Sequence, residues 1–143
     1  MPNRFRRVRW LVLAACALGV IGCASPVYDV TGKVTYNGSP LNKPDGQIVF
    51  VGPNGEQVAA PIGADGTYSA AGVAGGSNRI AVYYPNAKAK AEKGGKLKPG
   101  ETPKALPKYL TPEKYASPET SELTATVSKG CAYDTDLTGP KIP

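Results

Sequence analysis

This 143-residue chain predicts an all-β fold, a Greek-key sandwich of about seven strands. Three observations carry that expectation. Apolar and polar residues alternate over short runs, which is the period of a strand with one buried face. Turn-forming dipeptides separate the runs at regular spacing. The composition, with 17 Gly and 14 Pro, favours turns and disfavours helix interiors. The length suits one ordinary domain.

The first predicted strand covers residues 28–36, with Val30, Gly32, Val34 and Tyr36 on one face and Asp29, Thr31, Lys33 and Thr35 on the other. Asn37 and Gly38 follow as a turn, because both tolerate positive φ. Pro40 and Leu41 begin a segment that can cover the sandwich end, and Asp45 and Gly46 form a second turn. Residues 47–51 make a compact apolar strand, residues 57–62 a more exposed one. Asp65 and Gly66 turn into a strand at 67–70, where Tyr68 anchors it on the core. Residues 72–78 read as a flexible loop, and 79–84 as a strand with Ile80, Val82 and Tyr84 set against Arg79, Ala81 and Tyr83.

A composition break follows. Residues 85–107 carry Lys88, Lys90, Lys93, Lys96, Lys98 and Lys104 with few apolar groups. So long a loop in a small domain is either functional or a solvated insertion. A short helical turn near 88–93 would end at Gly94 and Gly95. Residues 106–109 and 112–115 read as irregular packing segments, and 117–121 as a turn. Leu123, Ala125 and Val127 point inward from a strand at 122–127. Lys129 and Gly130 read as a hairpin turn into residues 132–137, with Tyr133, Thr135 and Leu137 on one face, and 139–143 is left as a tail. The sandwich is thus placed at 28–138.

The N-terminus has the three parts of an export signal. Arg4, Arg6, Arg7 and Arg9 form a positive region, and residues 10–21 carry no charge. That apolar stretch falls short of the roughly 20 residues a bilayer span needs. It ends at Val20, Ile21, Gly22 and Cys23, which resembles the lipobox of bacterial lipoproteins. The resemblance implies removal of residues 1–22, acylation of Cys23, a tether at 23–27 and anchorage to a cell membrane or outer membrane. Stable anchoring needs two or three acyl chains, since each buried CH₂ adds about 0.8 kcal/mol. Ala24 stands where some bacteria use Asp as a retention cue, so the analogy favours the outer membrane.

Charge and cysteines narrow the function classes. The formal net charge is +6, but loss of the four N-terminal arginines leaves 13 Lys/Arg against 11 Asp/Glu, and +2 calls for no nucleic-acid partner. Cys16 lies in the signal and Cys23 takes lipid, which leaves Cys131 with no partner for an internal disulfide. It reads as a small hydrophobe near a strand start, or as a thiol for intermolecular chemistry. With no histidine and one cysteine, no zinc shell can be filled, and neither cofactor nor metal is expected.

The order of Val30, Thr31, Gly32, Val34, Tyr36, Gly38, Pro40 and Leu41, then Ile48 to Phe50, then Asp65, Gly66 and Tyr68, then Ile80 to Val82, Lys114 and Tyr115, and residues 118–127 and 133–137, resembles carboxypeptidase regulatory-like domains. These are transthyretin-like (prealbumin-like) sandwiches found in small bacterial envelope lipoproteins. The resemblance spans nearly all of 28–138 and implies a non-catalytic module. Enzymes on this sandwich depart from it: hydroxyisourate hydrolases use histidines and a C-terminal Tyr-Arg-Gly-Ser, and intradiol dioxygenases hold iron with two Tyr and two His. Cys131 departs from the family pattern, which has a polar residue after the Gly.

No enzyme is therefore expected, since the usual proton shuttle is missing. Asp134 and Asp136 share one strand face, as a polar surface or as part of a Ca²⁺ site with loop carbonyls. Two binding readings remain. One is an interaction or structural module whose Lys88, Lys90, Lys93, Lys96 and Lys98 meet another envelope protein, anionic lipid or cell-surface polymer. The other is a carbohydrate or small-ligand binder in which Tyr83 and Tyr84, with Tyr36, Tyr109 and Tyr115, offer stacking surfaces.

Overall fold

A computed structural model describes residues 25–92 and 106–142. It is a β-sandwich of seven strands in two sheets. Strands β1 (Val27–Tyr36), β4 (Thr67–Ala74) and β7 (Thr135–Leu137) form one sheet in the order β4-β1-β7. Strands β2 (Gln47–Val51), β3 (Gln57–Pro61), β5 (Gly76–Tyr83) and β6 (Leu123–Val127) form the other in the order β3-β2-β5-β6. Four of the six strand-to-strand connections pass from one sheet to the other.

Alternation decides which side chains meet between the sheets. Val30, Val34 and Tyr36 of β1 face Ile48 and Phe50 of β2 and Ile80 and Val82 of β5, with Tyr68, Val73 and Leu137 completing the layer. Full burial of each such side chain contributes about 1.5–3 kcal/mol. Asn37 (φ 50°) and Gly38 (φ 80°) make the expected tight turn, closed by Tyr36 N–H to the Ser39 carbonyl at 2.7 Å. At Asp65, the carboxylate accepts from Thr67 N–H (3.0 Å) and Thr67 Oγ1 (2.7 Å), which fixes the turn into β4.

Gly32 does what its place among larger inward residues hides. A Cβ there would stand 1.9 Å from the Tyr133 carbonyl oxygen. The space is used: Tyr133 N–H donates to the Thr31 carbonyl (2.9 Å), and the Tyr68 hydroxyl donates to the Tyr133 carbonyl (2.7 Å). Both contacts bring the chain alongside β1 just before β7 begins.

Two expectations are corrected. Residues 72–78 are not a loop. β4 runs to Ala74 and β5 starts at Gly76, so a single residue, Gly75, carries the chain between sheets. Gly76 (φ 95°) makes the bend, and the buried Asn78 amide donates to the Ala74 (2.7 Å) and Gly76 (3.0 Å) carbonyls across it. The glycines mark this corner, not slack chain. Lys129 and Gly130 likewise make no hairpin, because β6 pairs with β5 and β7 pairs in parallel with β1, so the chain crosses between sheets there. Ala81 faces outward by alternation yet is buried.

Replacing Gly32 with Ala must push residue 133 off β1, so Gly32→Ala should lower the urea midpoint by the equivalent of about 1–3 kcal/mol or more. Two buried tyrosines should respond oppositely. Tyr68→Phe loses its bond to the Tyr133 carbonyl and should cost about 1 kcal/mol or more. The buried Tyr84 hydroxyl has no hydrogen-bond partner. Tyr84→Phe should therefore be neutral or stabilising in the same assay.

Candidate functional site

β1 runs the height of the sandwich, roughly 30 Å by strand rise. Its start, Val27, lies beside the β4–β5 corner, and its last residue, Tyr36, lies at the opposite end. There the long connection between β5 and β6 leaves and returns. The backbone and side chain of Asn86 clamp the two arms: its N–H donates to the Lys108 carbonyl (3.0 Å) and its amide to the Pro107 carbonyl (2.9 Å). Leu110 N–H adds a bond to the Tyr84 carbonyl at 2.8 Å. The returning arm thus extends the β5 edge beyond the reach of β6. A short 3-10 helix at Glu113–Ala116 then drops Tyr115 into the core, and the Ser121 hydroxyl donates to the Ile80 carbonyl.

Residues 139–142 close the same end rather than trailing away as a tail. The Tyr36 hydroxyl donates to the Pro140 carbonyl (2.7 Å), Asn37 exchanges bonds with Gly139, and Ile142 packs against the core. Between these pieces lie two adjoining clefts. One of about 350 Å³ is lined by Pro44, Pro85, Lys88, Pro107, Tyr109 and Ile142 among others. The second, of about 320 Å³, shares Pro107, Tyr109, Leu110 and Ile142 and adds Thr111, Pro140 and Lys141. The lining of both is mostly apolar. Lys43, Lys88, Lys108 and Lys141 stand at the two clefts, with Glu113 the acidic residue among the described lining groups.

The expected binding residues divide. Lys88 lies at this cleft, in the short helix α1 (Ala87–Glu92), which also contains Lys90. Cys23, Lys93, Lys96 and Lys98 lie outside the described residues. Tyr84 is corrected as a stacking surface: it is 0% exposed, its ring fills the space over Gly46, and burial pushes its phenol up to about 12. Tyr36 and Tyr115 are also buried. Tyr83 is half-buried, its hydroxyl held by Gln47 Oε1 (2.7 Å) and its ring 5.6 Å from that of Tyr109. Lys108 Nζ sits 4.9 Å from the Tyr109 ring centre. Leu110, Thr111, Pro140 and Ile142 carried no signal in the sequence, because their role depends on how the chain end returns.

Asp134 and Asp136 do share a face, and both serve the β1–β7 contact. Asp134 accepts from Lys33 N–H (2.7 Å); Asp136 accepts from the Thr35 hydroxyl (2.6 Å) and Gly38 N–H (2.9 Å). Among the described residues no group of three His, Cys, Asp or Glu is placed to hold a metal ion. Cys131 is half-buried at the core margin, its thiol 3.6 Å from the Thr126 carbonyl oxygen.

Fold and site together define a small β-sandwich domain with an apolar, lysine-bordered groove at one end. No protein-family model matches the sequence. No curated protein matches it either. Among solved structures, the chain is similar to a DUF3823 family protein from Parabacteroides merdae, at 18% identity and a TM-score of 0.42, over 80% of this chain. The chain spans about half of that protein's length, 46%.

The Thr35 hydroxyl and Gly38 N–H hold the Asp136 carboxyl below the usual carboxylate range. Its folded pKa lies below its unfolded value, so its contribution is complete above about pH 4 and is lost as pH falls through the folded pKa. Asp136→Asn should flatten the stability loss as pH falls below about 4, measured as urea midpoint against pH.

Proposed function

We propose that this chain is an exported bacterial lipoprotein, anchored through an acylated Cys23. In this reading a carboxypeptidase regulatory-like (transthyretin-like) sandwich serves as its non-catalytic interaction module. The observation that carries it is how close the lipobox lies to the fold. β1 begins at Val27, four residues after Cys23. Four extended residues reach at most about 14 Å. A domain so tethered rides close to the membrane, with the β1 start and the Gly75 corner toward the lipid and the groove toward the aqueous side.

Several features support a binding role over catalysis. The sequence has no histidine. The paired carboxylates of Asp134 and Asp136 are engaged in backbone and hydroxyl bonds within the fold. The groove walls bring apolar contact and ammonium groups, which recognise a partner without transforming it. A carbohydrate reading has less support, because Tyr36, Tyr84 and Tyr115 are buried and leave no row of exposed rings.

Cells expressing the full chain and fed an alkyne analogue of palmitate should yield a labelled protein that partitions into detergent. Cys23→Ser should abolish both label and detergent partitioning while the protein remains exported. Persistent label or unchanged partitioning in that variant would remove the lipid anchor from the reading.

A further inference from the structure

The groove at the end of the sandwich has features that select among occupants. Its walls are rich in proline, with Pro44, Pro85 and Pro107 lining one cleft and Pro107, Pro112 and Pro140 the other. Proline has no N–H, so these positions offer no backbone donor to an added β-strand. Two of the groups that might read a sugar, the Asn86 amide and the Tyr109 ring, are engaged. The Asn86 amide donates to the Pro107 carbonyl and its oxygen accepts from Lys88 N–H, while the Tyr109 ring packs against Tyr83 and Lys108. What remains for a ligand is apolar surface from Leu110, Ile142 and the prolines.

The rim adds charge. Lys88 and Lys141 are exposed and form no salt bridge among the described residues. One further group is unused: the hydroxyl of Thr111, a buried cleft-lining residue, has no hydrogen-bond partner. Residues 93–105 of the same chain are a poor occupant on charge, since they carry four lysines and one glutamate against a lysine rim.

We propose that this groove docks an acidic peptide segment of another envelope protein. Bulky apolar side chains of the segment enter the two clefts, and its carboxylates meet Lys88 and Lys141. The proposal rests on the interaction-module reading and names its site and the chemistry of its partner. Two clefts sharing the Tyr109–Ile142 wall suit two apolar anchors spaced along an extended chain.

The test uses the full chain in detergent micelles and a fluorescent octapeptide alternating glutamate and leucine, read by anisotropy. Controls are an octaglutamate and a lysine–leucine octapeptide. The alternating acidic peptide should bind best. Lys88→Glu with Lys141→Glu should weaken it about tenfold, the size expected when two exposed ion pairs become repulsions. Lys129→Glu, the same charge change at the far end of the sandwich, should leave binding as it was. Ile142→Asp, checked for an unchanged melting temperature, should abolish binding. Equal affinity of octaglutamate would overturn the proposal. So would unchanged binding by the double lysine variant, or preference for polygalacturonate over the peptide. Failure of this test with Cys23 still acylated would remove the groove's ligand and leave the anchor standing, because palmitate labelling decides the anchor separately.

Discussion

The space left by the missing side chain of Gly32 is the constraint on which the C-terminal third of the domain depends. Through it the Tyr133 carbonyl comes against β1 and receives the Tyr68 hydroxyl. That contact seats β7, whose parallel pairing with β1 is only three residues long. So short a ladder is weak by itself, since isolated strand pairs are marginal in water. It is reinforced by Asp134 and Asp136, which bond β1 from the side, and by Leu137, which is fully buried. A carbonyl, two carboxylates and one leucine thus do the work that a longer strand would do elsewhere.

What β7 seats, the groove inherits. Residues 139–142 follow directly from Leu137, and they reach the end of the sandwich because the Tyr36 hydroxyl and the Asn37 side chain hold them there. The opposite wall has a different origin, in the Asn86 clamp that brings Pro107 and Lys108 beside the end of β5. The groove forms where a chain terminus and a long connection meet over the open end of the core. Proline supplies much of its apolar surface, and it populates both segments, which lie outside the seven named strands.

Much of the framework is legible in the residues. Alternation through Val30, Val34 and Tyr36, and through Ile80 and Val82, identifies inward positions because a period of two places them on one face wherever the strand pairs. Asn37-Gly38 and Asp65-Gly66 mark turns because their dihedral demands are local. The signal is ambiguous where a residue type serves two ends. Glycines at 72, 75 and 76 suit a flexible loop and a sharp corner equally, and only the bonds of Asn78 across the corner distinguish them. Tyr84 looked available for stacking because tyrosine suits both core and surface; its position opposite Gly46 is a long-range fact.

Local chemistry read from the sequence by itself therefore determined the fold class, the strand set, most inward faces and the turns at Asn37-Gly38 and Asp65-Gly66. Each of these depends on neighbours a few residues apart. The tertiary structure alone decided the sheet partners of β6 and β7, the burial of Tyr84, the closing of the sandwich end by residues 139–142, and the groove. Those outcomes depend on contacts between residues up to about a hundred positions apart, such as Thr35 with Asp136 and Tyr36 with Pro140. Strand periodicity carries no information about which distant strand will fill a given edge.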